Sequence, residues 1–341
     1  MTVEQVTDTW SVSFDEVPVG ISAVSGVVVV CTAEGRAYAF DVASGKKKCE
    51  VAFEDGLLGT AVQPSGRSAV LFGPFGAWLW SLEDESVTEL APHSWCAQGM
   101  WANDDRFALA VGREVQTFDA QGKQLWRSEQ LPSTVTDVIW LGGRHRLAAA
   151  VYGGVHVMEP RPRGTVTHLP FTGSLLALAA TPNGKWIVSG NQDASLQVFK
   201  PDDDTRLEMQ GYPNKIALVD FDSSGNWLAN NGSGEVSVWD FRGTGPRGRS
   251  PVLCISRDPE AKPRCFAWHP EKPVLAIGWD SGEVAVFRVS QGLPGKPFGG
   301  KTLVSSSGNP VESLCFAGQG LVFAQHDGTL RRVEVPLLES S

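Results

Sequence analysis

Two short stretches combine histidine and cysteine, side chains that often bind zinc. "HSWC" (93–96) places a histidine three residues before a cysteine, and "CFAWH" (265–269) places a cysteine four residues before a histidine. A structural zinc site needs four ligands, normally supplied as two closely spaced pairs. Neither stretch has a second pair nearby, so we predict a strand position for Cys265 and a turn position for His269, with no metal ligand in either stretch.

Other chemistry has weaker support in the residue pattern. A Ser-His-Asp triad is assembled only by folding and leaves no fixed spacing, but the G-x-S-x-G elbow of one such enzyme class does not occur. The acidic run "PDDDTRLE" (201–208) is interpreted as a solvated turn, with a metal site as the alternative. "RGTGPRGRS" (242–250) is interpreted as a surface loop, with a phosphate or an acidic partner as the alternative. We predict no catalytic residue and no cofactor.

Composition limits the classes of protein that remain. The 341 residues carry a net charge of −9, which argues against a nucleic-acid binder because that function needs a concentrated basic face. No apolar run reaches the roughly 18–20 residues of a membrane helix. The start, "MTVEQVTDTWSVSF", lacks the pattern of a secretory signal, and the six cysteines are dispersed. We expect a cytoplasmic protein with reduced thiols and no membrane or nucleic-acid partner.

The chain repeats one pattern eight times. Each unit has an apolar strand, a polar turn, a second apolar strand, a tight turn often containing glycine, and an alternating strand, as in "DFDSSGNWLANNGSGEVSVWDF" (220–241). Corresponding positions lie 38 to 48 residues apart, close to the period of a four-stranded propeller blade. These positions are Phe40, Trp80, Phe118, Met158, Phe199, Trp239, Phe287 and Val333.

The repeat predicts the fold class and the domain organisation. A blade with two apolar faces cannot bury both alone, so neighbouring blades must stack in a ring. The last unit lacks an outer strand, and the alternating segment 8–14 has no unit of its own, so we predict that it completes the last blade. The expectation is an all-β, single closed β-propeller over 1–341, with repeat units at about 20–335. We predict eight antiparallel four-stranded blades, and seven is the alternative.

The units resemble WD40 repeats. "TPNGKWIVSGNQDASLQVFK" and "FAWHPEKPVLAIGWDSGEVAVFRV" follow that family's strand–turn–strand pattern, and Trp239–Asp240 is a full Trp-Asp pair. Asp193, Asp280 and Asp327 match the aspartate of the turn between the second and third strands. The Gly-His dipeptide of the family is absent, so its hydrogen-bonded tetrad cannot form in full.

The first and third units are similar to repeats of pyrroloquinoline-quinone-type propellers, which also commonly have eight blades. The enzymes of that class bind the quinone with vicinal cysteines and a calcium-binding carboxylate cluster. This chain has no adjacent cysteine pair, so we do not expect that activity.

The WD40 resemblance implies candidate residues for binding a partner. In that family the residue before the turn aspartate faces the narrow rim used for partners, and the segment before each first strand faces the same rim. Three candidates come from each position; together they are Trp279, His326, Gln192, Trp95, Lys215 and Lys262. An aromatic residue among lysines is a plausible composition for an interaction hot spot.

The remaining tryptophans and the longest insertion have structural interpretations. Trp101, Trp140 and Trp268 recur at the end of the first strand and are predicted to pack blades together. Segment 290–308 is predicted to be a mobile flap or a simple linker.

The resulting functional prediction is a non-catalytic scaffold, monomeric by itself, that presents rim loops to one or more proteins. The alternative is a small-molecule, metal-binding or enzymatic propeller with its site in the central channel.

Overall fold

The chain folds into a ring of eight β-sheets. A computed structural model describes residues 8–24, 26–203 and 205–336, without the side chain of Arg144. Each sheet contains a blade of four antiparallel strands, labelled a to d from the centre outwards, and the sheet of blade 6 has one additional strand. The a strands of successive blades contact one another around the ring, including those of blades 8 and 1. The prediction of an all-β propeller with eight blades is confirmed.

The first four blades follow directly from the apolar, alternating runs of the sequence. Blade 1 contains Pro18–Val24, Val27–Thr32, Arg36–Asp41 and Lys47–Ala52. Blade 2 contains Gly59–Val62, Ser68–Gly73, Gly76–Ser81 and Val87–Glu89. Blade 3 contains Cys96–Trp101, Arg106–Val111, Glu114–Asp119 and Gln124–Arg127. Blade 4 contains Asp137–Trp140, Leu147–Val151, Gly154–Met158 and Val166–Pro170.

The second half of the ring repeats this order. Blade 5 contains Leu175–Ala180, Ile187–Asn191, Leu196–Phe199 and Arg206–Met209. Blade 6 contains Val219–Phe221, Trp227–Asn230, Val236–Asp240 and Val252–Ile255. Blade 7 contains Pro263–Trp268, Val274–Trp279, Val284–Arg288 and Lys301–Val304. Blade 8 contains Val311–Ala317, Gly320–Gln325, Thr329–Glu334 and, as strand d, Asp8–Ser13.

Within the residues that the structure describes, helical structure is limited to two single turns, Gly142–Arg144 and Val289–Gln291. In the described part of the chain, no helix is long and apolar enough to cross a membrane. All six cysteines lie in that part, and none forms a disulfide.

The N-terminal strand closes the ring, as predicted. Asp8–Ser13 pairs antiparallel with Thr329–Glu334, and the Arg331 guanidinium donates to both carboxylate oxygens of Asp8 at 2.8–3.1 Å. The buried Trp10 indole donates to the carbonyl of Val42 in blade 1, at 2.8 Å. The first strand of the chain therefore completes blade 8 and also attaches it to blade 1.

Indole hydrogen bonds tie several neighbouring blades together. The Nε1 atoms of Trp101, Trp140 and Trp268 each donate to a backbone carbonyl in strand a of the preceding blade. The acceptors are Ala61 at 2.9 Å, Met100 at 3.1 Å and Asp220 at 3.1 Å. The prediction that these three tryptophans pack blades together is confirmed.

Segment 290–308 is neither a flap nor a simple linker, so that prediction was wrong. Pro297–Gly299 pairs in parallel with Val252–Ile255 and forms a fifth strand on blade 6. Lys301–Val304 then supplies strand d of blade 7. The parallel pairing joins residues more than forty positions apart, so no local turn or spacing announces it.

Candidate functional site

One face of the ring is built from two kinds of loop, which are hydrogen-bonded to each other. Strand a begins and strands b and c are joined at the same end of each blade, and we call this end the upper face. In blade 3 the Gly112 N–H donates to the carbonyl of Trp95 at 2.7 Å, and in blade 5 Gln192 donates to Ser174 at 3.0 Å. Val135, in the loop before blade 4, donates to Gly112 and continues the contacts across a blade boundary.

Five of the six predicted partner-binding residues are exposed on this face. They belong to five different blades; they are Trp95, Gln192, Lys215, Lys262 and His326. Trp95 lies apart on blade 3, and the other four lie on the consecutive blades 5 to 8. Between blades 7 and 8, Glu312 accepts hydrogen bonds from the Arg264 guanidinium and, at 2.9 Å, interacts with Nδ1 of His326.

The prediction that Trp279 binds a partner on the rim is corrected, because its side chain is fully buried. The backbone N–H of Trp279 donates to the carbonyl of Glu283, as the backbone N–H of Asn191 donates to the carbonyl of Ser195 in blade 5. Trp279 is therefore equivalent to the buried Asn191 and not to the exposed Gln192. A shift of one residue moves a strand side chain to the opposite face, and this shift accounts for the error.

An exposed apolar surface, which the sequence analysis largely missed, spans the upper face of three adjacent blades. We call it the apolar arc: Leu58 and Phe75 on blade 2, Trp95 on blade 3 and Tyr152 on blade 4. Their exposed fractions are 39%, 56%, 47% and 60%. Ile255, at the upper end of strand d in blade 6, is also exposed, at 38%, but lies apart from the arc. Exposed apolar side chains grouped on adjacent blades mark interaction sites more often than isolated residues do.

Tight turns hold the side chains of the arc outward. Phe75 occupies a two-residue turn between strands that pair up to Gly73 and Gly76. The Tyr152 N–H donates to the Ser133 hydroxyl at 2.8 Å, and the next residue, Gly153, has a φ of 96°, which favours glycine. Phe75 and Tyr152 lie in the b–c turns of their own blades, as Asp193 does in blade 5. This equivalent position in the repeat was the sequence signal that could have identified them.

Acidic side chains border the arc. Glu34 in blade 1, Glu54 and Asp55 before blade 2, and Glu129 before blade 4 are exposed. The exposed Arg113 lies between them, but its guanidinium donates to the backbone carbonyl of Leu131 at 2.8 Å. The surroundings of the arc therefore carry an excess of negative charge.

The central channel contains a second feature, a pair of carboxyl groups. A cavity of about 710 Å3 is lined mainly by strand a of blades 3 to 6, including Gln98, Asp137 and Asp220. The two oxygens of Asp137 accept the N–H groups of Val138, at 2.8 Å, and of Leu178 in blade 5, at 2.7 Å. Asp137 therefore joins two blades as well as lining the channel.

Both carboxyl groups hold protons more tightly than usual. Burial inside the ring raises the pKa of Asp137 to about 6, against two backbone N–H bonds that lower it. Burial also raises the pKa of Asp220 to about 7, and the charges of Asp222 and Asp137 add to that increase. The Asp220 side chain is surrounded by the protein of the ring but is nevertheless exposed to solvent in the channel. Its carboxylate is therefore partly screened.

Substitution of Asp220 by asparagine is expected to stabilise the protein more at pH 8 than at pH 5. A carboxyl group with a raised folded-state pKa binds more protons when folded, so folding stability falls as pH rises from about 4 to 7. The asparagine variant removes that loss. At pH 8 we expect its free energy of unfolding to be about 1 kcal/mol higher than that of the wild type, after allowance for screening by solvent in the channel. Urea unfolding at both pH values measures it.

Asp105→Asn, at an exposed turn of blade 3, is the matched control for the loss of one negative charge. An equal change in stability at pH 5 and pH 8 would contradict the assignment to Asp220.

The described residues offer no group of three or more histidine, cysteine, aspartate or glutamate side chains that could hold a metal ion. His93 and Cys96 do not form such a group, and neither do Cys265 and His269.

Comparison with known proteins bears on the fold and the family. Residues 162–200 match the family model "WD40: WD domain, G-beta repeat". The match covers strand d of blade 4 and strands a to c of blade 5. Together with the eight-bladed ring it supports a WD40-repeat propeller. A search of curated proteins found no match.

A similar solved structure is that of the computationally designed Ika8 protein. It has 16% sequence identity and a TM-score of 0.74, and the alignment covers 95% of this chain and 98% of that one. At this identity the likeness concerns the fold alone.

Proposed function

We propose that this WD40-like propeller is a non-catalytic scaffold that binds a protein partner through the apolar arc on its upper face. The observation that carries the proposal is the concentration of exposed Leu58, Phe75, Trp95 and Tyr152 on three adjacent blades. Tryptophan and tyrosine dominate the binding energy of many interfaces. WD40 propellers commonly serve as protein-interaction scaffolds, and fold likeness alone does not establish that role here.

The rigidity of the ring supports this role. Two arc residues lie in loops whose backbone is bonded to a neighbouring loop, Trp95 to Gly112 and Tyr152 to the Ser133 hydroxyl. Binding then orders few side chains and loops of the propeller, so little of the interaction energy is lost to entropy.

The charge distribution specifies the kind of partner. Acidic residues such as Glu54 and Asp55 flank the arc, and the chain as a whole carries a charge of −9. A complementary partner has apolar side chains for the arc and basic side chains beside them, because opposite potentials favour encounter and fix orientation. The cysteines are unpaired, which is consistent with a reducing compartment, and we propose the cytoplasm.

Phe75→Ser/Tyr152→Ser is expected to abolish capture of the partner without unfolding the propeller. Removal of two exposed hot-spot aromatics typically costs about 2 kcal/mol or more each in binding, whereas exposed substitutions change stability little. The test is a quantitative pull-down from a native lysate with mass spectrometry of the bound proteins, beside circular dichroism of each variant.

Leu125→Ser/Val166→Ser is the control, because these side chains are similarly exposed but lie on outer strands. The proposal requires one protein retained in stoichiometric amount by wild type and control and lost from the arc variant. It fails if the arc variant retains that protein, or if wild type retains none.

The central channel is the second candidate site. Asp137 and Asp220 converge there and favour a small cationic group over an anion. The residues that line the cavity include no histidine. The channel therefore ranks below the arc.

A further inference from the structure

A groove of about 510 Å3 runs along the outer strand of blade 5. One wall is Arg206–Met209 followed by Gln210, the other is loop 246–249 of blade 6, and Trp239 lies between them. Successive residues of a strand point to opposite faces. Because this groove contacts five consecutive residues, it reaches the edge of the strand as well as one face.

That edge is open. Arg206–Met209 is the last strand of its sheet and pairs only with Leu196–Phe199. Within residues 8–24, 26–203 and 205–336, no strand pairs with its outer side. A free strand edge presents a row of N–H and C=O groups that can pair with another extended chain.

The next blade shows such an addition in the same molecule. Pro297–Gly299 pairs in parallel with the outer strand of blade 6, with Leu253 opposite Pro297 and Ile255 opposite Gly299. An extended segment therefore fits on the outer edge of a blade of this ring.

The groove carries positive charge on an acidic protein. Arg206 and Arg247 are exposed along it, although the Arg206 guanidinium also donates to the carbonyl of Pro170 in blade 4 at 3.4 Å. The half-buried Arg249 is paired with Asp240 at 2.6 Å. The one acidic side chain in its lining, Glu208, accepts a hydrogen bond from Gln210 at 2.5 Å. With the whole chain at −9, this local excess of arginine favours an acidic ligand.

We propose that the groove binds an extended acidic segment of a partner protein as a fifth strand of blade 5. The backbone of the segment pairs with the free edge of Arg206–Met209. Its apolar side chains lie on the face of Leu207 and Met209 and pack towards Trp239. Its alternate acidic side chains lie on the face of Arg206. Arg247, exposed on the opposite wall, attracts the acidic segment through its charge. This mode is strand addition, in which backbone bonds supply affinity and side chains supply specificity. The surface lies on the outer wall of the ring and is separate from the apolar arc.

The probe is a fluorescein-labelled peptide of about ten residues that alternates glutamate and valine, titrated with the full chain and followed by fluorescence anisotropy. We expect binding that Arg247→Glu weakens about tenfold or more, a loss of about 1.4 kcal/mol. Arg67→Glu is the matched control, because it reverses an exposed charge on blade 2, far from the groove. A peptide N-methylated at two adjacent central residues keeps its charges and loses an N–H on each edge, so it is expected to bind about tenfold more weakly.

Several results would overturn the proposal. Absence of binding up to roughly 1 mM peptide would remove the site. An equal loss of peptide affinity in Arg247→Glu and Arg67→Glu would show that only the net charge of the protein matters. Binding of a lysine–valine peptide as tight as that of the glutamate–valine peptide would show that the groove does not select acidic side chains. Unchanged affinity of the methylated peptide would rule out strand pairing. A dimer of the chain that Arg247→Glu dissociates would assign the edge to a second copy instead.

Discussion

Replacement of Trp10 by alanine is expected to lower the free energy of unfolding by about 3–5 kcal/mol. The Trp10 side chain is buried in a cluster that combines blade 1 residues such as Val28 and Phe40 with blade 8 residues such as Leu330. Its ring lies directly against Gly45, where even a Cβ atom would come within 2.6 Å. The substitution removes this packing and the indole bond to Val42 at the point where the ring closes.

Urea unfolding measures the loss, and hydrogen exchange locates it. Amides of Thr329–Glu334, which pair with the N-terminal strand, are expected to exchange faster, while Leu147–Val151 in blade 4 stays protected. Trp10→Phe is the control, because it fills most of the space and loses only the hydrogen bond, at a cost of about 1 kcal/mol. Unchanged protection of Thr329–Glu334 in Trp10→Ala would show that closure does not depend on this side chain.

Trp279→Ala is expected to destabilise the fold by about 3–5 kcal/mol. The indole is fully buried between blades 6 and 7, in a cluster with Val238 and Phe287. A tryptophan exposed on the rim would cost about 0.5 kcal/mol or less. Urea unfolding therefore separates a core position from a surface position.

Trp279→Phe provides a sharper comparison. The Trp279 indole N–H is buried, and no hydrogen-bond acceptor reaches it from the described residues. Phenylalanine removes this unsatisfied donor, so we expect a cost of about 1 kcal/mol or less, from lost volume alone. A loss in Trp279→Phe as large as that in Trp279→Ala would point to a hidden acceptor. Loss of partner binding in Trp279→Ala counts as a surface effect only if the folded fraction is unchanged.

Most of the architecture was accessible from the sequence because each blade repeats a local pattern. The turn and strand periods identified eight units, and the recurrence of Trp101, Trp140 and Trp268 identified an inter-blade position. The leftover alternating segment identified the closing strand. Each of these signals depends on residues that are close in sequence or recur at a fixed period.

The errors arose where local pattern is insufficient. At the end of strand b in blade 7, a slip of one position exchanged the buried Trp279 for the half-buried Asp280. The fifth strand, Pro297–Gly299, pairs with a distant segment in parallel, and such a contact has no sequence period. The convergence of Asp137 and Asp220 needs the curvature of the whole ring, because they come from blades 4 and 6.

The candidate surface was predictable only in part. Trp95 was identified from its place before strand a, but Phe75 and Tyr152 were missed because the alignment followed turn aspartates. Exposure of a turn side chain depends on the backbone of the turn, not on the residue type that usually occupies it. The position of a residue in the b–c turn therefore predicts its exposure better than the presence of the turn aspartate does.

The shared sheet of blade 8 also has a consequence for synthesis of the protein. Asp8–Ser13 leaves the ribosome first, but its partner strand Thr329–Glu334 is translated more than three hundred residues later. At typical elongation rates, the N-terminal strand spends on the order of tens of seconds without its partner. Blades 1 to 7 can assemble in order during translation, whereas blade 8 must form last, after Thr329–Glu334 has been made. The nascent ring is therefore open during translation, and a chaperone that shields an unpaired strand would act at this seam.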